Sequence, residues 1–465
     1  MERSTAHRVA LACAAPYRVA MSSLGLQTIY RVIQQSDDLS CERVFLPDEP
    51  LGWDQGDVPT SCESGRALGE FEVIAFSVSW ELELIELVRM LQRAGIPPLR
   101  RDRADHHPLL IAGGPLTFSN PRPLLPFVDA VVLGEADTLA VDVLTRLFDD
   151  APRASILERI AGMQNVIVPA VDPASRATPC HCDASLLPAW GPIRTPHTEL
   201  RDMFLVEAVR GCSRSCHYCV MRRGPGAGMR VVPEDRLLAT IPQDASRVGL
   251  VGASVTDHPR IEQIVRALAA RGASVGLSSL RADRLRPGLV DALRQGGYRT
   301  LTTAMDGASE RLRDSVERHT SEVHLREAAR LCREHGIERL KLYVMVGLPT
   351  EQQQDIDECA ALVRELSRVV PVSLGISPFC AKRNTPLDGA AFAGLKVIDE
   401  RLDRLRKKLA GAAEVRATSA RWAWVEHVLA QGDEPEGMAV VQAAQNGGGF
   451  SAFRKAFAAL GHEPG

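Results

Sequence analysis

Short apolar runs alternate with amphipathic helical stretches along most of this chain, and that alternation leaves few folds open. In the first third the runs are Val9–Cys13, Arg43–Leu46, Val73–Val78, Leu109–Ala112 and Ala130–Leu133. Between them, Leu24–Gln34 carries apolar residues at Leu24, Leu26, Ile29, Val32 and Ile33, a helical spacing, and Glu83–Ala94 reads as an amphipathic helix stopped by Gly95. Strands that are apolar on both faces and separated by helices belong to a parallel sheet covered on both sides. Residues 1–150 are therefore expected to form a doubly wound α/β domain with its ligand crevice at the carboxyl ends of the strands.

The pattern resumes at residue 204, with strand runs at Phe204–Val209, Arg247–Val251, Ser274–Ser278, Arg299–Thr303, Leu340–Val346 and Val372–Ser377. Helical spacings fall between them at Ile261–Ala270, Gly288–Gly296, Ser309–Val316, Ser321–His335 and Gln354–Leu366. β-α units at this spacing predict an open (β/α)6 barrel over 204–385, whose chemistry would sit at the carboxyl ends of its strands. The intervening segment 151–203 holds Pro169, Pro173, Pro179, Pro188, Pro192 and Pro196 and is expected to be an extended, largely irregular connector. Residues 386–465 read as helical and are expected to dock on the barrel as a small cap.

Composition narrows the class further. Of 465 residues, 45% are hydrophobic and 24% charged, an ordinary globular balance, and a net charge of −3 gives no general attraction for nucleic acid. Arg222, Arg223 and Arg230 make a local cationic loop suited to solvent or a small anionic group. No uncharged apolar run reaches the roughly 18 residues of a membrane span, so no membrane association is expected. Val9–Cys13 is too short for the apolar region of a secretion signal and reads as a first strand. The eleven cysteines sit in a chain too long for a disulfide-stapled mini-fold, which points to a reducing, cytoplasmic setting. Cys13, Cys332 and Cys359 fall in apolar or helical surroundings and read as buried small hydrophobes.

Three cysteines lie within eight residues, Cys212-x3-Cys216-x2-Cys219, directly after the run Phe204–Val209 and an Arg210-Gly211 turn, with Tyr218 before the third thiol. Thiolates are the usual ligands of iron–sulfur clusters, and a cubane normally takes four. Three on one loop leave one iron open to a substrate. Two other readings exist: a zinc site closed by Cys180, His181 or Cys182 upstream, and a closed four-thiolate cluster in a non-catalytic redox protein. Neither explains the barrel-like repeat that follows.

The cysteine loop resembles the signature of the radical S-adenosylmethionine (SAM) superfamily, a CxxxCxxC loop after the first strand of a partial barrel. The resemblance implies that Cys212, Cys216 and Cys219 hold a [4Fe–4S] cluster whose open iron chelates SAM, and that reduction yields a 5′-deoxyadenosyl radical that abstracts a substrate hydrogen. It implies SAM contacts at successive strand ends: Gly252 in Gly252-Ala253-Ser254, Ser278 and Arg281 in Ser278-Ser279-Leu280-Arg281, Asp306 in Asp306-Gly307, and Val346 in Val344–Thr350, with Tyr218 against the adenine from the other side. Asp257 reads as a helix cap, His258 as a cap or a substrate contact, and Cys380 as a plain buried thiol. Lys341 and Tyr343 share one face of their strand.

The first domain resembles the Rossmann-like, cobalamin-binding-type domain that precedes many radical SAM cores. The matching pieces are Ala75–Trp80, Ile111–Pro115 and Asp129–Glu135, and the resemblance implies that Gly113 and Gly114 bring backbone close to a cofactor; tight β-α turns are the plain alternative. The stretch Ala14–Gly25 lacks the histidine of the family's DxHxxG loop, so any cobalamin there would lack that axial ligand. The expected reaction is cobalamin-dependent methyl transfer to carbon; the alternative is a cobalamin-independent rearrangement or sulfur insertion. Expected partners are a small-molecule or peptide substrate and a low-potential electron donor of flavodoxin or ferredoxin type.

Overall fold

The computed structural model describes residues 5, 7–47, 57–175, 177–221, 228–278 and 280–465; Arg222, Arg223 and Ser279 lie outside these. The chain divides into two compact units, one built from 5–201 and 428–463, the other from 202–427 and 464–465.

The first unit is organised on a six-stranded sheet. Its strands are β1 (His7–Pro16), β2 (Leu39–Leu46), β3 (Val73–Ser77), β4 (Leu109–Gly113), β5 (Ala130–Val132) and β6 (Val166–Ile167), in the spatial order β2-β1-β3-β4-β5-β6. The first five pair in parallel and β6 closes the edge antiparallel to β5. β1 to β5 are almost wholly buried, as continuous apolar runs require when helices cover both faces. On one face, the helices Leu24–Gln34, Leu139–Leu147 and Arg153–Ala161 pack against Val9, Leu11, Cys13, Val73 and Ile111.

Two expectations about this unit are refined. The connector is irregular over most of 168–203, but before that it supplies the helix Arg153–Ala161 and the strand β6, and it then knits itself to the first unit. There the Cys180 amide donates to the Leu133 carbonyl at 2.7 Å, the Ile193 amide donates to Gln27 Oε1 at 3.1 Å, and the Arg31 guanidinium lies 4.7 Å from the Trp190 ring centre. The last helices, Glu434–Gln445 and Phe450–Ala458, belong to this unit. The buried Asn120 amide donates to the carbonyls of Leu429, Ala430 and Gly432, and Arg122 pairs with Asp433 at 2.9 Å. Gly437 comes so close that an added Cβ would lie 2.1 Å from the Pro123 carbonyl oxygen. The amphipathic pattern of these helices announces a buried face but not which surface buries it.

The second unit holds two parallel sheets. β7 (Phe204–Glu207) leads into the antiparallel hairpin β8 (Val209–Gly211) and β9 (Met229–Val231), followed by β10 (Arg247–Val251), β11 (Ser274–Leu277), β12 (Thr300–Asp306), β13 (Arg339–Val346), β14 (Val372–Pro378) and β15 (Glu414–Ala417). The sheet orders are β11-β10-β7 and β12-β13-β14-β15, and an isolated parallel bridge, Leu280 to Thr303, joins the two series. The expected single strand Phe204–Val209 is thus split, its end diverted into the first strand of a hairpin whose two strands flank the cysteine loop. β15 was not foreseen because Glu414-Val-Arg-Ala417 is a short, half-polar edge strand with no apolar run to reveal it.

Alternation is clean in β13: Leu340, Leu342, Val344 and Val346 are buried, while Lys341, Tyr343 and Met345 face the other way. Cys13, Cys332 and Cys359 are buried, and burial pushes each thiol up to about 12. No disulfide joins any of the eleven cysteines, all of which lie among the described residues. No helix among the described residues is long and apolar enough to cross a membrane.

Candidate radical site on the cysteine loop

Because the strands of each sheet in the second unit run parallel, the loops leaving their carboxyl ends emerge on one edge of that sheet. The cysteine loop leaves the hairpin at Gly211, whose φ of +79° and approach to Gly228 admit no side chain: a Cβ would lie 2.1 Å from the Gly228 carbonyl oxygen. Cys216 is 7% exposed, and Cys212 and Cys219 are half-buried. Burial raises the Cys219 thiol above its ordinary value, and charge on Cys216 and Cys212 raises it further. Three sulfurs that repel one another when ionised are stabilised together by bound cations, which is the chemistry of an iron–sulfur ligand set, and the residues fit that group. Among the described residues, no three His, Cys, Asp or Glu side chains converge as a ready-made single-ion site.

Ion pairs brace the loop on both flanks. On the first, Ser213 Oγ donates to Asp257 Oδ2 at 2.5 Å and Arg214 pairs with Asp283 at 2.6 Å. Arg281, 5% exposed, spans both acids, donating to Asp257 Oδ2 at 2.8 Å and to Asp283 Oδ1 at 3.1 Å. The Arg281 Nε, Nη1 and Nη2 groups thus each donate to Asp257 or Asp283, two largely shielded carboxylates. Asp257 does not serve as a helix cap; it is a buried ion-pair acid, also 3.1 Å from Arg284. His258 is buried and its Nε2 lies 2.8 Å from the Val232 carbonyl oxygen.

On the second flank, the His217 amide donates to the Val316 carbonyl at 3.0 Å, Ser215 Oγ donates to Glu317 at 2.8 Å, and His217 Nε2 lies 3.3 Å from Glu317. The Tyr218 hydroxyl donates to Asp306 Oδ2 at 2.6 Å, and Arg318 Nε is 2.7 Å from the same oxygen. Burial and then the Asp306 charge hold the Tyr218 phenol well above its ordinary value. Asp306, Tyr218 and Cys216 raise the Arg318 guanidinium despite its burial. Asp306, Glu317 and His319 have φ of 64°, 51° and 54°, left-handed conformations rare outside glycine, and they cluster beside the loop. The short strand-end acid Asp306 thus links Tyr218 to Arg318. Neither Arg318 nor Glu317 was singled out by the sequence, where they read as ordinary residues of a helix end.

The remaining strand-end residues divide. Ser278 Oγ donates to the Gly252 carbonyl at 2.9 Å, so these two meet at neighbouring strand ends. A Cβ on Gly252 would lie 2.5 Å from Val209 Cγ2 and 2.6 Å from the Val209 carbonyl oxygen. Val346 is fully buried on the face opposite Lys341 and Tyr343, so its side chain does not share theirs. The Gly347 amide after it donates to Glu351 Oε1 at 2.9 Å, and Arg401 lies 2.8 Å from that carboxylate. Lys341 and Tyr343 line an open cleft of about 700 Å³ with Thr300, Ser373, Gly375 and Arg416. The Lys341 ammonium stands 4.7 Å from the Tyr343 ring centre, and the ring lies so close to Gly375 that a Cβ there would be 2.8 Å from it. Cys380 donates to the Ala423 carbonyl at 3.1 Å.

In the first unit the expected cofactor glycine Gly114 is taken up by the chain itself. A Cβ on Gly114, at φ +110°, would lie 2.6 Å from the Val78 carbonyl oxygen, and one on Gly113 would meet the Val132 carbonyl oxygen at 3.5 Å. Gly134 is pressed against Cys180, with 2.4 Å between an added Cβ and the carbonyl oxygen. Cys182 is fully buried, and its amide donates to Glu135 at 3.0 Å. The side-chain space at Gly114 and Gly134 is filled by Val78 and Cys180, so tight turn and connector contacts account for these two glycines, while Gly113 makes only an ordinary contact.

Comparison with known proteins agrees with the geometry of the second unit. Residues 206–363 match the radical SAM superfamily model, and residues 25–169 match the model described as radical SAM proteins, N-terminal. The chain is 27% identical over 343 residues to the uncharacterized protein MJ0966 of Methanocaldococcus jannaschii, covering 71% of each. Among solved structures it is similar in fold to the cobalamin-dependent S-adenosylmethionine radical enzyme OxsB with aqua-cobalamin and S-adenosylmethionine bound, at a TM-score of 0.52 and 10% identity over 86% of this chain. The apo form of OxsB gives the same TM-score at 11% identity. The chain spans 56% of the length of OxsB. With three thiols on one braced loop inside the matched segment, residues 206–363 of this chain belong to the radical SAM superfamily.

Proposed function

We propose that this protein generates a 5′-deoxyadenosyl radical from SAM and uses it to abstract hydrogen from a small-molecule or peptide substrate, without a corrinoid. The observation that carries the reading is the cysteine loop, with three free thiols held in place by ion pairs on both flanks. Cys212, Cys216 and Cys219 would hold a [4Fe–4S] cluster, which when bound supplies the electron that breaks the sulfur–carbon bond of SAM. The chain's own part is to fix that loop, to offer backbone at the Gly252 and Gly347 strand ends, and to keep water from a reactive intermediate.

The substrate site in this reading is the cleft over β12 to β15, where Lys341 and Arg416 set a cationic tone beside the Tyr343 ring. The strands of the second unit form the open barrel in this reading, with Leu280 to Thr303 as the seam between its halves. Methyl transfer on a cobalamin is the weaker reading, because Gly114 and Gly134 are occupied by Val78 and Cys180. In this reading the electron for the cluster comes from a donor of low potential, flavodoxin or ferredoxin in type. Anaerobic reconstitution with iron and sulfide, followed by dithionite and SAM, tests the proposal: 5′-deoxyadenosine should accumulate. Its absence from a protein carrying an intact cluster and bound SAM would overturn it.

A further inference from the structure

A shielded charge pair, Arg318–Asp306, stands next to the cysteine loop, and the radical chemistry proposed above does not explain it. Both side chains are largely shielded, at 11% and 18% exposure, and their 2.7 Å contact is reinforced by the Tyr218 hydroxyl on the same carboxylate oxygen and by Arg318 Nη2 donating to the Ala304 carbonyl at 2.8 Å. Tyr218 sits between the second and third thiols, so the pair is tied to the loop through a residue within the motif itself. Tyr218 is adjacent to Cys219 and two residues from Cys216, so its bond to Asp306, which also holds Arg318, places both charges beside the thiols of the loop. The backbone is strained to achieve this, with left-handed residues at Asp306 and on either side of Arg318.

We propose that Arg318 and Asp306 act as opposed electrostatic arms that set the reduction potential of the cluster on Cys212, Cys216 and Cys219. The physical basis is simple. One-electron reduction adds negative charge to a cluster in a shielded, low-dielectric setting, where a fixed charge nearby acts far more strongly than in water. Arg318 stabilises the reduced state and Asp306 opposes it. Removing Arg318 leaves an uncompensated carboxylate beside the thiolates; removing the charge of Asp306 leaves an uncompensated guanidinium. The two changes should therefore move the potential in opposite directions. A purely structural brace would behave otherwise, since loosening the loop from either partner disturbs it in the same sense. Arg318 and Asp306 are tuning residues in this account, acting on the cluster through space and requiring no contact with substrate.

The inference rests on the cluster assignment, and the experiment separates the two. The full-length wild type, Arg318→Gln, Arg318→Lys and Asp306→Asn are reconstituted anaerobically. Iron content is then measured, and the midpoint potential is read by electron paramagnetic resonance during a redox titration without SAM. The expected result is iron content near wild type in Arg318→Lys and Asp306→Asn. In Arg318→Gln the ratio of reduced to oxidised cluster at a fixed potential should fall about tenfold, a shift of about 59 mV for a one-electron couple. Asp306→Asn should shift the other way, and Arg318→Lys should stay near wild type. If Arg318→Gln retains too little iron to titrate, the direction of the Asp306→Asn shift decides. Unchanged potentials, or shifts of the same sign in both neutralised variants, overturn the inference. Failure of the wild type to bind iron would instead overturn the cluster assignment.

Discussion

Replacing Gly252 with alanine adds one methyl group where the structure has no room for it. The new Cβ would lie 2.5 Å from Val209 Cγ2, 2.6 Å from the Val209 carbonyl oxygen and 3.2 Å from Val255 Cγ2. Side-chain rotation can relieve the first contact but not the second, because the Val209 carbonyl is backbone at the start of the hairpin leading to Cys212. Overpacking of this kind costs about 1–3 kcal/mol, and an immovable partner puts this site near about 3 kcal/mol. Urea unfolding of the metal-free protein should show that loss. Adding Val209→Ala should recover only part of it, since the carbonyl contact survives. The same displacement should reach the cysteine loop, so the reconstituted variant should hold less iron as well as bind SAM more weakly. A Gly252→Ala protein within about 0.5 kcal/mol of wild type, with normal iron content, would refute the claim that this glycine is required by close approach.

Four further outcomes follow from the same geometry. Cys212→Ala, Cys216→Ala and Cys219→Ala should each lose most of the roughly four irons and all SAM cleavage, as metal analysis and product assay would show; full iron in all three would end the cluster assignment. Purified protein incubated with hydroxocobalamin and desalted should retain no stoichiometric corrinoid by absorption spectroscopy; tight one-to-one retention would show that the first unit has a cradle elsewhere. Burial holds the Glu351 carboxyl at about 7, with the Arg401 charge only partly offsetting it. A folded value raised above the unfolded value of 4.5 means that the folded state binds the extra proton, so stability should fall as pH rises from about 4.5 to 7, by roughly 3 kcal/mol in total. Glu351→Gln should flatten that slope in urea titrations at several pH values, and an unchanged slope would place the effect elsewhere. Arg281→Ala should lower iron retention and stability, because it removes the buried cation that joins Asp257 to Asp283 and leaves each acid to one remaining arginine, Arg284 and Arg214; an effect confined to SAM affinity would restore the sequence-based reading of Arg281 as a SAM ligand.

The alternation of strands and helices, the three-thiol loop and the buried character of Cys13, Cys332 and Cys359 were all legible in the sequence, because each depends on local spacing or local polarity. Apolar runs such as Val73–Ser77 and Leu109–Gly113 can be satisfied only by a covered parallel sheet, and three thiols within eight residues bring their own chemistry wherever the loop lies. What the sequence could not supply was pairing between distant segments. Arg281 and Asp306 look like ligand contacts in isolation, yet Arg281 closes on Asp257 and Asp283, and Asp306 on Tyr218 and Arg318. Gly114 and Gly134 look open until Val78 and Cys180 are seen to fill the space. The helix Glu434–Gln445 shows an apolar face in any reading, and only the close approach of Gly437 to Pro123 shows where it is buried. Hydrophobic periodicity is a property of one segment and survives in the sequence. A charge pair or a close approach belongs to two segments, and which two meet is settled only when the chain folds.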